Sequence, residues 1–180
     1  MKLLRTIRLD ASDTYVFERA AEPGEWAVSG AFAFWHSDPT KLEGKMRSAF
    51  RGGFLGVSSL GWSTLVQIVE ATETDRATVI GTLARRLVEN FGAPDMAAAI
   101  AAAEEEVTFA QSLCSQPLDT LIAIHRACED GNLRESFRTL RPRDGQKLPR
   151  VFSFFDVEDL GEQRSSDGVD LVALAGNKEK

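Results

Sequence analysis

A chain of 180 residues with 43% hydrophobic content is long enough for one compact domain burying about 70% of the surface its unfolded form exposes. Its two cysteines, Cys114 and Cys128, are too few for a disulfide scaffold, and no apolar run approaches the roughly 18 residues of a membrane span. A net charge of −6 disfavours general nucleic-acid binding, which depends on neutralising phosphates.

The opening MKLLRTIRLD carries basic residues with no continuous apolar stretch behind them, so the expectation is no signal peptide and a cytoplasmic protein with free thiols. Residues 3–9 and 14–19 are rich in β-formers and separated by DASD, which predicts two neighbouring strands across a turn. In residues 26–35, Trp26, Val28, Gly30, Phe32 and Phe34 alternate with the mostly small set Ala27, Ser29, Ala31, Ala33 and Trp35. Such alternation predicts a central strand, bulky on one face and small on the other, with a helix packed against the small side. Asp38 before Pro39 reads as a helix start, and Leu42, Met46, Ala49 and Phe50 make the stripe of a helix near 39–51. RGGFLGVSSLGW (51–62) combines four glycines with Phe54, Leu55, Val57, Leu60 and Trp62. It matches neither a phosphate loop nor a nucleophile elbow, which leaves a flexible apolar loop that folds on its own core or covers a cleft or partner.

Residues 63–71 predict a strand. Helices near 74–91 and 95–115 follow, the first closed by Gly92 and Pro94 and the second capped by Asp95. The second has a narrow seam of Met96, Ile100, Ala103, Val107, Ala110 and Cys114, flanked by Glu104, Glu105 and Glu106 and with no basic residue between Asp95 and Cys114. Residues 119–140 read as a hairpin turning at Asp130–Gly131. VFSFFDV (151–157) and VDLVALA (169–175) read as further strands, and the expected organisation is a single domain over 1–175 with a frayed 176–180. The predicted fold class is α+β, a largely antiparallel sheet with about three helices mainly on one face.

Chemistry-bearing residues are sparse. Two histidines and two cysteines could by number make a zinc site, but only His125 and Cys128 are close in sequence, so no metal and no cofactor is expected. As a ligand site the candidates are Trp35, His36, Asp38, Phe54 and Trp62, with His36 as acid or base, Asp38 as its orienter and the tryptophans as apolar walls. The blander alternative makes His36 a solvated junction side chain. Arg134, Arg138, Arg141, Arg143, Lys147 and Arg150 give residues 133–150 a charge of +4, leaving −10 for the remainder. Arg138, Arg141, Arg143, Glu104 and Glu105 are accordingly the candidate partner surface.

With the stretches RTIRLDASDTYVFERAAEPGEWAVSGAFAFW, ENFGAPDMAAAIAAAEEEVTFAQSLC and EDGNLRESFRTLRP, the sequence resembles a family of small uncharacterised proteobacterial proteins, a domain of unknown function, over residues 1–160. The resemblance carries no catalytic residue. It implies genes near molybdenum-dependent formate dehydrogenases and a lipoate-ligase-like protein, hence an assembly or maturation helper for a redox enzyme. The expected function is therefore a non-catalytic accessory protein acting through a protein partner or a homo-oligomer such as a dimer, without nucleic acid or membrane. The alternative is a small-molecule binding protein or enzyme with its cleft between 30–38 and the loop 51–62.

Overall fold

The computed structural model describes residues 1–129, 132–142 and 155–165. Five strands form one antiparallel sheet in the order β1 (Lys2–Ile7), β5 (Leu65–Glu70), β6 (Leu121–Glu129), β7 (Asn132–Pro142) and β8 (Phe155–Ser165). A second, small antiparallel sheet joins β2 (Ala27–Val28), β3 (Phe54–Gly56) and β4 (Trp62–Ser63), and a bridge from Arg5 to Trp26 ties the two sheets together. The helices are α1 (Ser12–Val16), α2 (Gly44–Gly52), α3 (Glu73–Phe91) and α4 (Met96–Ser112). The fold is α+β, as the sequence predicts.

Strand register explains which side of the main sheet is the core. Leu4 opposes Ile68, Val66 opposes both Thr6 and Ile122, and Ile124 opposes Phe137. All are buried, so the apolar residues share one face. Phe137 meets Phe54 of β3 and Phe109 of α4 on that face. The small sheet and α4 therefore cover it.

The buried face also holds a charge. Arg126 and Glu135 are directly opposed on β6 and β7, at 0% and 1% exposure. Arg126 Nε donates to Glu135 Oε1 at 2.7 Å, and Nη1 donates to the carbonyls of Gly53 at 2.8 Å and Phe50 at 3.0 Å. Nη2 donates to the Ser29 carbonyl, and Ser29 Oγ donates to Glu135 Oε1 at 2.6 Å. A guanidinium suits this task because its planar fork reaches several acceptors at once, whereas a lysine offers one point charge. Carbonyls at the end of α2 also supply the negative pole of that helix.

Three local expectations change. Residues 14–19 are not a strand: the chain turns through α1, whose Asp13 accepts from Thr64 Oγ1 at 2.5 Å and Thr64 N at 3.2 Å, while Tyr15 is 76% exposed. Side-chain hydrogen bonding has overridden β propensity there. The helix expected over 39–51 divides into a 3-10 turn at Pro39–Lys41 and α2, separated by extended Leu42 and Glu43, and α2 opens on Gly44 at φ +54°. On α4, Met96 and Ile100 are exposed and Ala99 is buried, so the packed seam is rotated at its N-terminal end. The hairpin stands, with Glu129 opposite Asn132, although Asp130 and Gly131 lie outside the described residues. β8 begins at Phe155 and continues through the polar GEQRS, while the strand expected over 169–175 and the tail 176–180 also fall outside them.

Arg126→Met is expected to destabilise the protein by about 3–5 kcal/mol, because it strands Glu135 and the α2 carbonyls in the core. Arg126→Met with Glu135→Leu should cost less than the sum of the two single changes by more than about 1 kcal/mol. Urea denaturation of the four proteins measures this, and strict additivity would refute the coupling.

Candidate functional site

Gly30 decides where the segment 26–38 goes. It sits at φ +78°, and a Cβ there would lie 2.5 Å from Leu55 Cβ, so this position needs glycine on both counts. The chain leaves β2 after Val28 and turns into a 3-10 helix over Ala31–Phe34, in place of the expected long strand. With three residues per turn, positions two apart point in different directions. Phe32 accordingly packs edge-on to Phe91 at 5.1 Å in the main core, whereas Phe34 joins Phe50 and Trp62 in a second cluster. The strand alternation seen in the sequence becomes a division between two cores.

Trp35 and His36 follow at the surface, both exposed. Across from them α3 ends at Gly92, which is left-handed at φ +74°, and α4 starts at Asp95, whose side chain accepts from Ala98 N at 2.8 Å. Between these walls opens a cleft of about 740 Å³. Phe32, Trp35 and His36 form one side, Leu87, Asn90 and Phe91 with Gly92–Pro94 one end, and Ala98, Ala102, Glu105 and Glu106 the other side. Alanines four apart leave that face of α4 low, which gives the cleft its depth. The volume falls within the roughly 300–1,000 Å³ of small-molecule pockets, and the lining is mostly apolar with a few polar groups, as such pockets are.

The expected cleft against the loop 51–62 is not where the opening lies. Phe34 stacks on Trp62 at 5.1 Å and closes that side. Phe54 is fully buried in the core, so it lines no cleft. Trp62 lines a separate groove of about 330 Å³ with Lys45, Met46 and Leu60, in which no residue of 30–38 takes part. Of the five ligand candidates, the structure brings only Trp35 and His36 to the larger cleft. Asp38 caps its own turn, accepting from Thr40 Oγ1 at 2.7 Å and Thr40 N at 3.0 Å beside Lys41 at 3.2 Å. Those bonds, the Thr40 hydroxyl foremost, hold its carboxyl below the usual range. They also occupy it, so it does not orient His36.

Sequence reasoning passed over Glu106, taken as part of a solvated acidic face. It is 6% exposed and lines the cleft, while Glu104 and Glu105 are exposed. A signal was present in AAAEEE, since Glu106 stands four residues after Ala102 and eight after Ala98 on one helix face. On the basic strip, Arg138 is exposed, and strand register sets Arg138 opposite Asp159 and Arg141 opposite Asp156 on β8. Arg143 lies outside the described residues.

The glycine-rich loop folds on its own domain around a carboxylate. Glu25 Oε2 accepts from Ser58 N at 2.8 Å and Ser59 N at 2.9 Å, and Oε1 accepts from Glu22 N at 2.8 Å and from Ser59 Oγ. A Cβ on Gly56 would stand 2.4 Å from that Oε1, so glycine admits the carboxylate. Among the described residues no three of His, Cys, Asp and Glu gather to hold a metal, and no helix is long and apolar enough to cross a membrane. Both cysteines are free thiols. Burial pushes the Cys114 thiol from the ordinary 9.0 up to about 12. The folded state thus keeps that proton more tightly than the unfolded chain. The stability so gained is complete below about pH 9 and is lost as pH rises towards about 12.

Gly30→Ala should lower stability by about 1–3 kcal/mol through backbone strain and the Leu55 clash. It should also shift Trp35 emission, whereas an unchanged denaturation midpoint would contradict the role given to Gly30. At pH 8, Ellman's reagent should titrate half-buried Cys128 quickly and Cys114 only on unfolding. Two equally fast thiols would overturn the burial of Cys114.

No curated protein and no solved structure matches this chain. A family model does match, over residues 1–154, a span that includes every element lining the cleft. The chain belongs to that family, a family of unknown function (DUF6505).

Proposed function

We propose that this protein is a non-catalytic accessory protein that works by binding, and that the cleft between residues 32–36 and the α3–α4 turn is its working surface. The observation that carries the reading is the cleft itself, about 740 Å³ with half-exposed Trp35 at its lip and Phe32 and Phe91 behind it. An aromatic side chain left in water costs free energy that an apolar ligand or a partner's side chain recovers on docking. The proposal includes a cytoplasmic setting, in keeping with two free thiols, and an assembly or maturation role for a redox enzyme, in keeping with the resemblance noted above. The enzyme alternative, with Asp38 orienting His36, loses support because the Asp38 carboxylate is taken up by Thr40 and Lys41.

The neutral dye Nile red tests the cleft. Wild-type protein should bind it with a blue-shifted emission, and Ala98→Trp or Ala102→Trp, which fill the space from α4, should weaken binding at least about tenfold, or about 1.4 kcal/mol. Equal binding by both filled variants would show that the dye sits elsewhere and that the cleft is not the binding surface.

A further inference from the structure

We infer that the groove lined by Trp62 is a second binding site, for a small apolar ligand carrying one carboxylate. It shares no lining residue with the cleft and stands or falls independently of it. The groove, of about 330 Å³, has Trp62, Leu60 and Met46 as its apolar side and Arg19, Lys45 and Glu18 as its charged side. Stacking on Phe34 holds the half-buried Trp62 indole in place.

The backbone around it is equally fixed. The Trp62 amide donates to the Arg19 carbonyl at 2.8 Å, and the Ala21 amide donates to the Trp62 carbonyl at 2.9 Å, so residue 19 is tied beside the indole. Leu60 stands at φ +56°, a left-handed conformation that leucine rarely adopts. Its amide donates to the Gly56 carbonyl at 2.9 Å, and Glu25 grips the amides of Ser58 and Ser59 just before it. Strain of this kind persists only where the surroundings over-determine it, and it gathers at ligand sites.

The charged side is unbalanced. Arg19 Nη1 donates to the Ser59 carbonyl at 3.2 Å and Lys45 Nζ to the Phe17 carbonyl at 3.4 Å, and among the described residues no carboxylate pairs with either. Two cations against the single carboxylate of Glu18 leave the lining at +1. One ligand carboxylate neutralises that charge, and the arginine fork can donate to both its oxygens. A phosphoryl group, with about two charges, would overshoot it beside Glu18. The apolar body of the ligand then covers Trp62 and Leu60, whose removal from water adds affinity.

2-Naphthoate and 2-naphthamide have nearly the same shape and differ by one charge, so isothermal titration calorimetry with the pair isolates the electrostatic part. Naphthoate should bind at least about tenfold more tightly, and raising salt from about 0.05 to 0.5 M should weaken it alone. Arg19→Gln and Lys45→Gln, both at exposed positions, should each reduce the preference severalfold and together abolish it. Glu18→Gln should tighten naphthoate, and Arg85→Gln, which removes a cation outside the groove, should change nothing. Equal binding of the two compounds, a preference that survives the double substitution, or naphthoate that does not bind the wild type would each overturn the assignment.

Discussion

The guanidinium of Arg126 is the joint on which the rest of the fold hangs. Placed on β6 with no exposure, it draws Glu135 of β7, the last carbonyls of α2 and the Ser29 backbone onto one group. Three parts of the chain far apart in sequence, the β6–β7 hairpin, the end of α2 and Ser29, thereby meet within hydrogen-bond reach. Removing a charge from water is costly, and only this number of acceptors makes the burial tolerable. Exchange for a neutral side chain would leave several polar groups unsatisfied together. The cost of change, more than the net worth of the pair, is what makes the arrangement restrictive.

That joint also sets the frame of the cleft. Ser29 is held from below by Arg126 and Glu135, and the next residue, Gly30, takes the left-handed conformation that sends Phe32 towards α3 and Phe34 towards α2. The two exposed residues after it, Trp35 and His36, are carried on a short helix anchored by two buried phenylalanines. Opposite them the α3–α4 turn is anchored by caps at both ends: Gly92 closes one helix and Asp95 opens the next. Both walls of the cleft are therefore attached to regular, capped structure. A preformed cavity of this kind loses little conformational entropy on occupation.

One feature that attracts attention in the sequence turns out to serve the fold. The glycine-rich loop is a receptor for the Glu25 carboxylate, with its backbone amides aimed at one side chain. Conversely, the acidic face of α4, ordinary in appearance, contributes a buried carboxylate to the cleft, Glu106.

Local physics made much of this readable from the chain. The periodicity of α3 and α4, the caps at Gly92 and Asp95, and the β6–β7 hairpin follow from residues within a few positions of one another, and so the sequence alone determined them. It also marked His36 as a residue at a junction. What the tertiary structure decided were matters of long-range partnership. Whether Phe32 and Phe34 share a strand face or divide between two cores depends on Leu55 and Trp62 crowding Gly30, contacts about 25 to 30 positions away. Whether Arg126 is a surface charge or the centre of the core depends on Glu135, Ser29 and the end of α2 meeting it. The cleft itself exists only because residues 32–36 arrive beside a helix pair whose alanines and Glu106 gave, by themselves, no sign of which neighbour they would face. Such choices are made by packing and by the satisfaction of buried polar groups, and neither is a property of any short stretch of chain.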